Sequence, residues 1–504
     1  MKTRSRLVSV LSAAAALVAG CTSVGPDYHL PQNSVMRSPE ANGPIARPAQ
    51  RAVSIGAVPN DWWQLYDDPK LDALVKAALA ANTDVRVALA NVQRAIAMYH
   101  EVDAEHLPQG GVDAEAARAQ ISGESFLKEE KLPVVNLAAA ALSVSYQIDF
   151  FGKLARADEA ALAAVEASQA ALDVARVSVA AETVRAYVQS CAANHEYDIA
   201  EEQLALQEKG VAITRKLVDA GRDQPTDLLR AQAQADTLRA ALPRFEAQHE
   251  AATYRLAVML GKVPGTLDAS ATQCRRIPLL TQPLPVGDGA ALLKRRPDVR
   301  QAERELASAT AKIGVATADL YPSIRIGASI GASGVLEHFG QGRTEQWTVG
   351  PMITWSLPTN GVRAHIKGMA AGADAALAHF DGVVLKALQE TQTSLSAYTR
   401  ALERDDALRD ARDKSRAAAE QNRQLYRAGR APYLTSLDAA RTHANAEAAL
   451  AAAETQVAMD QVNLFLALGG GWQSSADNDQ TSPAVSRSTS RPGGTPALAA
   501  RSPY

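Results

Sequence analysis

The side chains best placed for specific chemistry lie in the stretch Leu425 to Arg441, where a turn separates two helical runs. Leu434, Asp438 and Arg441 follow one another at i, i+4 and i+7, so they share one face of the second helix. A carboxylate and a guanidinium on one face can form hydrogen bonds and ion pairs with a neighbouring helix. The prediction is a closable contact between helices. Solvated charges near a helix start are the alternative, which stays open here.

A related stretch lies about two hundred residues earlier, from Leu217 to Gln232. A glycine turn separates two helical runs in each stretch, at Gly221 in the earlier and at Gly429 in the later one. Asp227 and Arg230 are the acid and the base that follow the earlier turn. The chain therefore predicts two similar helical hairpins with charged tips.

The first twenty residues are predicted to be a targeting segment. Lys2, Arg4 and Arg6 precede an apolar run, Leu7 to Ala19, that is short for a membrane crossing. The run leads into Leu-Val-Ala-Gly-Cys, which resembles a bacterial lipobox, so we expect cleavage before Cys21 and lipid on that cysteine. An ordinary secretory signal with a chance cysteine is the alternative. Lipid on Cys21 would anchor the chain at about 0.8 kcal/mol per buried methylene.

Two cysteines, Cys191 and Cys274, remain after Cys21. Export to an oxidising compartment permits a disulfide between them, and two partly buried thiols are the alternative.

No arrangement of residues indicates an enzyme. The nine histidines are scattered, and His100-Glu101 is not followed by a second histidine at the metalloprotease spacing. The glycines at 331 and 334 lack the lysine of a phosphate-binding loop. We therefore expect no catalysis, cofactor or metal. The net charge of -3 gives no sign of a nucleic-acid partner.

Composition indicates long helices: 47% of the 504 residues are hydrophobic but only 5% are aromatic, and alanine dominates. Periodicity predicts helical runs over about 71–104, 152–209, 222–260, 362–427 and 433–468. The second of these, followed to its turn, would be a rod of about 100 Å.

Four stretches have a period of two instead. In the clearest, residues 138–148, apolar side chains alternate with Ser143, Ser145 and Gln147. The others cover about 109–122, 322–332 and 347–357. Strands of this length with one apolar and one polar face suit a membrane. A soluble hairpin is the alternative.

The two halves of the chain repeat each other. Asn-Thr-Asp-Val-Arg from Asn82 answers Arg-Pro-Asp-Val-Arg from Arg296, and Leu107-Pro108 answers Tyr321-Pro322, both at a shift of 214. Such a constant shift indicates an internal duplication. The predicted segments are a signal peptide (1–20), a lipidated, extended and poorly structured arm (21–60), a first repeat (61–261), a connector (262–289), a second repeat (290–472) and a disordered tail (473–504). Predicted β-hairpins cover about 108–150 and 322–358, and predicted helical tips about 220–227 and 428–441.

Four amphipathic strands cannot close on themselves, and an open edge in lipid leaves backbone groups without partners. The strands must therefore close with those of other copies. Two copies give eight strands and a filled lumen, whereas three give twelve and begin to leave a passage.

The lipobox, the repeat and four motifs together resemble the TolC-like outer-membrane efflux family, of the OprM and NodT lipoprotein type, over about residues 21–472. The motifs are LLKRRPDVRQAERELASATAKIGVATADLYPSI, YQIDFFGK, YLTSLDAAR and LALGGGW. The resemblance implies a mainly α-helical fold that also contains β-strands in the membrane. A homotrimer would form a twelve-stranded β-barrel in the cell outer membrane, four strands per chain, continued by a long α-helical coiled-coil barrel into the periplasm. NodT-type relatives have cysteines in the segments that correspond to those around Cys191 and Cys274, and this resemblance supports a disulfide between the two.

The resemblance also implies a function and a gate. Family members are exit ducts of tripartite pumps, with a periplasmic adaptor and an inner-membrane transporter of the RND type as partners and small toxic compounds as cargo. Leu434, Asp438 and Arg441 match the residues that constrict the periplasmic mouth in OprM-like members, and Asp227 and Arg230 match the acid and the arginine in the first repeat. A duct for polypeptide secretion and a non-conducting coiled-coil lipoprotein are the alternatives.

Overall fold

The structure is a computed structural model of the chain, and it describes residues 23–43, 53–56, 58–122, 124, 127, 129–280, 282–286 and 288–470. The predicted signal peptide (1–20), the predicted lipidation site Cys21 and the predicted tail (473–504) lie outside these residues. The described α-helices are α1 (Pro39–Asn42), α2 (Pro69–Ala81), α3 (Thr83–Asp103), α4 (Lys153–Asp219), α5 (Pro225–Arg239), α6 (Leu242–Met259), α7 (Gly289–Arg295), α8 (Pro297–Ala318), α9 (Asn360–Arg427) and α10 (Tyr433–Ala467). The described strands are β1 (Val53–Ile55), β2 (Gln109–Ala119), β3 (Val135–Ile148), β4 (Leu284–Val286), β5 (Ser323–Val335) and β6 (Glu345–Thr354).

Strands β2, β3, β5 and β6 form one antiparallel sheet in that order, so the two β-hairpins lie side by side. One face is apolar: Leu142 is the partner of Ile330, which is the partner of Trp347. Ile330 and Trp347 are 64% and 73% exposed. The other face carries polar side chains, such as Ser329 beside Thr348. The sheet thus leaves much of its apolar face uncovered within one chain.

Helices α4 and α9 have 67 and 68 residues, which at 1.5 Å per residue makes each a rod of about 100 Å. Helix α4 continues ten residues beyond the predicted end at Lys209, through Gly210 to Asp219. An isolated glycine weakens a helix but does not end it where a neighbouring helix supports it.

Two predicted runs are each split into two helices. The run over 71–104 breaks at Asn82, whose side chain accepts a hydrogen bond from the Asp84 backbone N–H at 2.8 Å and begins a new helix. The run over 222–260 breaks before Leu242, because Pro243 lacks an N–H and clashes with the carbonyl of the preceding turn. The continuous helix predicted for each of these runs is therefore wrong.

Helix α4 lies at the centre of the helical layer. It packs against α3 and α8 at the end that joins the sheet, and against α5, α6 and α10 towards the other end. Helix α9 packs against α8 and then α10. Helices α3 and α6 lie at one edge of the layer and α9 at the other, just as β2 and β6 are the edges of the sheet. Sheet and helical layer are therefore both open in one chain.

Residues 23–43 are ordered, unlike the poorly structured arm that was predicted. The guanidinium of buried Arg156 donates to the Asp27 carboxylate at 2.6 Å, and the Ser34 hydroxyl donates to the Asp381 carboxylate at 2.8 Å. These contacts fasten the segment to α4 and then to α9. Farther on, β1 pairs in parallel with β4. Isolated polar contacts with distant residues leave no periodicity, which is why the sequence pattern did not predict them.

Within the described residues, no helix has an apolar stretch of the length that a membrane crossing requires.

Candidate functional site at the hairpin tips

The two helical hairpins turn in the same way. In the first, Gly221 has φ +66° and its N–H donates to the Val218 carbonyl at 2.9 Å, while the Arg222 N–H donates to the Leu217 carbonyl at 2.8 Å. The second repeats this pattern at Gly429, with φ +68°. Both are Schellman caps, in which a left-handed residue ends the helix and glycine adopts that conformation without strain.

At the first tip, Asp227 is in the first turn of α5, where the helix dipole favours a carboxylate. Its Oδ1 accepts a hydrogen bond from Arg230 Nη1 at 3.5 Å, and the Arg230 side chain is 82% exposed. An exposed pair of this kind contributes little to stability. Within one chain, Asp227 and Arg230 are therefore a solvated pair near a helix start.

At the second tip the charged side chains differ in their position on the helix and in their contacts. Leu434 is 60% exposed, and Asp438 and Arg441 lie on the same side of the helix. Asp438 is the sixth residue of α10, beyond the first turn, so the helix dipole does not account for it. Among the described residues, the Asp438 carboxylate and the Arg441 guanidinium have no hydrogen-bond or ion-pair partner. The structure thus leaves three residues of one helix face free for a contact outside the chain.

A neighbouring face of α10 is packed. Tyr433 lies edge-on to Tyr426 of α9, with ring centroids 5.2 Å apart, and burial followed by the neighbouring Tyr426 raises the pKa of the Tyr433 phenol. Leu437 and Tyr433 approach α4 at Gly210, where a Cβ would lie 3.4 Å from Leu437 Cδ1 and 3.6 Å from the Tyr433 hydroxyl. These contacts hold the second tip against α4.

Sequence reasoning missed Gly210 and Tyr433. The available signal was a lone glycine inside a helical pattern, which often marks a close approach of two elements. The carboxamide of Gln203, two turns earlier on α4, also donates to the Ala444 carbonyl of α10 at 2.7 Å. A line of contacts therefore joins α4 and α10 towards the tip.

Cys191 and Cys274 form a disulfide, with Cα atoms 5.0 Å apart. The Asn194 carboxamide donates to the carbonyls of Thr272 at 3.2 Å and Cys274 at 3.1 Å. Cys191 is fully buried in the main hydrophobic core, where Trp62 is also buried. The bridge therefore ties the connector between the two halves to α4.

No group of three or more His, Cys, Asp or Glu in the described part of the chain is placed to hold a metal ion.

The fold is that of the outer-membrane channel OprN. The two structures match with a TM-score of 0.81 and 35% sequence identity, covering 90% of this chain and 100% of that one. Outer-membrane channels are thus the class of protein that the open sheet, the long helices and the paired tips define. More narrowly, the chain belongs to the outer membrane efflux protein family, whose model matches residues 74–262 and 290–470.

Two relatives illustrate the family. Nodulation protein T of Rhizobium leguminosarum bv. viciae is 29% identical over 457 residues, which are 90% of this chain and 92% of that protein. Toluene efflux pump outer membrane protein TtgC of Pseudomonas putida is 28% identical over 482 residues, which are 94% and 97%. The predicted family, the outer-membrane location and the role in efflux are confirmed. The family is one of efflux proteins, not of enzymes.

Proposed function

We propose that three copies of this chain form an outer-membrane duct that is gated at its periplasmic tip. The duct passively conducts drugs or other small toxic compounds. It receives them from a pump made of a periplasmic adaptor and an inner-membrane transporter of the RND type. The observation that carries the gate is the open face of α10, where Asp438 and Arg441 have no partner in the chain's described residues.

The open edges of the fold support the trimer. Strands β2 and β6 present unpaired backbone groups, which cost several kcal/mol each in lipid. Three sheets give twelve strands, enough to close a β-barrel with a passage. The exposed apolar side chains of the sheet would then face lipid and the polar face the lumen. Exposed apolar residues at both edges of the helical layer, such as Val87 (60%) and Leu385 (56%), support its closure by other copies.

The paired elements support the proposed internal duplication. Each half contains a helix, a β-hairpin and a helix of nearly 70 residues that ends in a glycine turn. The family model also matches the chain in two separate segments. A duplicated chain brings six tips, two from each copy, to one end of the tube.

At that end Leu434, Asp438 and Arg441 would form rings. The carboxylate of Asp438 and the guanidinium of Arg441 can pair with those of other chains, because they have no partner among the described residues of their own chain. Asp227 and Arg230 add a second set of charges. Such pairs hold the tips inward until a partner binds. The adaptor opens the gate only if it binds the splayed state more tightly than the closed one.

Lipid on Cys21 completes the proposed attachment to the outer membrane. The toluene efflux relative supports small toxic compounds as cargo. Deleting the protein from cells and profiling which compounds gain potency tests this cargo. If secretion of a polypeptide were lost while no compound gained potency, the alternative duct would be favoured.

The gate is tested with purified trimers in planar lipid bilayers. Asp438→Ala together with Arg441→Ala should raise single-channel conductance severalfold without any partner, because the contacts that hold the tips inward are lost. The matched control is Arg400→Ala with Glu403→Ala, which removes an exposed pair with a distance of 2.7 Å between Arg400 Nη1 and Glu403 Oε2. That pair lies about 40 Å along α9 from the turn, so conductance should stay unchanged.

The outcomes separate the two claims. Pores with the same conductance in all three proteins would refute the gate but keep the duct. A complete lack of pores would refute the duct and favour a non-conducting coiled-coil lipoprotein.

A leucine at Gly210 should also open the tip. Its side chain would occupy the space of Leu437 and Tyr433 and push α10 away from α4. We expect a higher conductance for Gly210→Leu than for Gly210→Ala, because a single Cβ fits there at ordinary van der Waals distance. Equal conductance of the two variants would contradict this role of Gly210.

A further inference from the structure

The polar face of the sheet has an uneven distribution of charge. Asp113 and Glu115 of β2 are exposed on this face, and within the described residues neither carboxylate has a hydrogen-bond or ion-pair partner. Their partners across the ladder are Ala141 and Ala139 of β3. On the next strand, β5, Ala141 pairs with Gly331 and Ala139 with Ser333. The residues beside the two acids are therefore uncharged.

A single base shares this face in the described strands. Arg325 of β5 is the ladder partner of Gln147, and its Nη2 donates to Gln147 Oε1 at 3.2 Å. Gln147 lies six residues along β3 from Ala141, which is about 20 Å. That is more than twice the Debye length of about 8 Å at physiological salt. Arg325 therefore cannot neutralise Asp113 and Glu115.

We propose that Asp113 and Glu115 make the open duct selective for positively charged solutes. The inference rests on the proposed trimer, in which the polar face lines the lumen and three copies bring six carboxylates to one level. Rings of carboxylates select cations because they raise the local concentration of counter-ions and repel anions. The specificity residues would then lie near the middle of β2, far from the gate.

The tip is not the source of this selectivity. Each second hairpin contributes one acid and one base to its open face, Asp438 and Arg441, and each first hairpin contributes Asp227 and Arg230. These charges balance, whereas the level of Asp113 and Glu115 carries acids alone.

The test uses the full-length protein with Asp438→Ala and Arg441→Ala, so that the tip is open. In a low-salt KCl gradient across a planar bilayer, the reversal potential should show potassium crossing in preference to chloride. Adding Asp113→Asn and Glu115→Gln should move the permeability ratio severalfold towards unity. Raising the salt to about 1 M should weaken the preference too, since the Debye length falls to about 3 Å.

Glu345→Gln in the same background is the matched control. Glu345 pairs with Ala332, Ala332 with Ala140 and Ala140 with Ala114, the residue between the two acids. Its side chain is therefore at the same level but on the apolar face. The permeability ratio should not change.

An unchanged ratio in the Asp113 and Glu115 variant, or an equal shift in the Glu345 variant, would overturn the inference while the duct stands. A complete lack of pores in every protein would overturn the duct together with the inference.

Discussion

Replacing Arg296 with methionine should lower the free energy of unfolding by about 3 kcal/mol. Arg296 is 7% exposed, and its guanidinium donates to the Ala467 carbonyl at 2.9 Å and to the carboxylates of Asp298 at 2.6 Å and Glu390 at 2.8 Å. Breaking a buried ion pair costs about 3–5 kcal/mol because the remaining charge is left without compensation. The lower end applies, since the carboxylate side chains are 33% and 38% exposed and water can partly replace the cation.

The effect should be large because one guanidinium joins three elements. Arg296 itself precedes α8, Glu390 lies in α9, and Ala467 is the last residue of α10. Thermal unfolding followed by far-ultraviolet circular dichroism in detergent measures the loss. Arg300→Met is the matched control, since Arg300 is exposed one turn further along α8 and its change should stay within about 0.5 kcal/mol. Equal melting temperatures for the two variants would show that the contacts of Arg296 do not stabilise the fold.

Removing the disulfide should also have a large effect. Cys191→Ser with Cys274→Ser should destabilise the chain by about 4 kcal/mol. The reason is that the bridge closes a loop with a sequence separation of 83 residues and so restricts the unfolded chain. The native contacts of the connector should survive, since the Asn194 carboxamide donates to the carbonyls of Thr272 and Cys274 and does not depend on the sulfur atoms.

Reduction gives this prediction its own control. A thiol reductant should lower the melting temperature of the unmodified protein towards that of the double serine variant and leave the variant unaffected. If reductant lowered both melting temperatures equally, the loss would have another cause. If neither the reductant nor the substitutions had an effect, the bridge would contribute nothing to stability.

The features that follow from short-range patterns could be predicted from the sequence. Alternation around Ser143 and Ser145 predicts a strand because side chains in a strand point to opposite faces. The glycine turns at Gly221 and Gly429 follow from the same logic, since a helix that ends in a left-handed residue favours glycine. The shared face of Asp438 and Arg441 needed only the helical period.

The features that depend on distant contacts could not be predicted in this way. The place of residues 23–43 depends on Arg156 and Asp381, which are far along the chain. Gly210 looks like a weakness in α4 until Leu437 is placed beside it. The breaks at Asn82 and Pro243 are a different case. Both residues act locally and were visible in the sequence, but the helical pattern was followed across them.

The ordered segment 23–43 also limits how far the sheet can lie from the predicted lipid on Cys21. The Val24 N–H donates to the Phe151 carbonyl at 3.1 Å, just beyond the end of β3. Three residues reach at most about 11 Å, so chain length alone allows the predicted lipid attachment at Cys21 no farther than that from Val24, which lies near the end of β3. Acyl chains at that position would hold the sheet at a fixed depth in the bilayer. Movement of the protein would then be concentrated at the hairpin tips, the end farthest from the lipid.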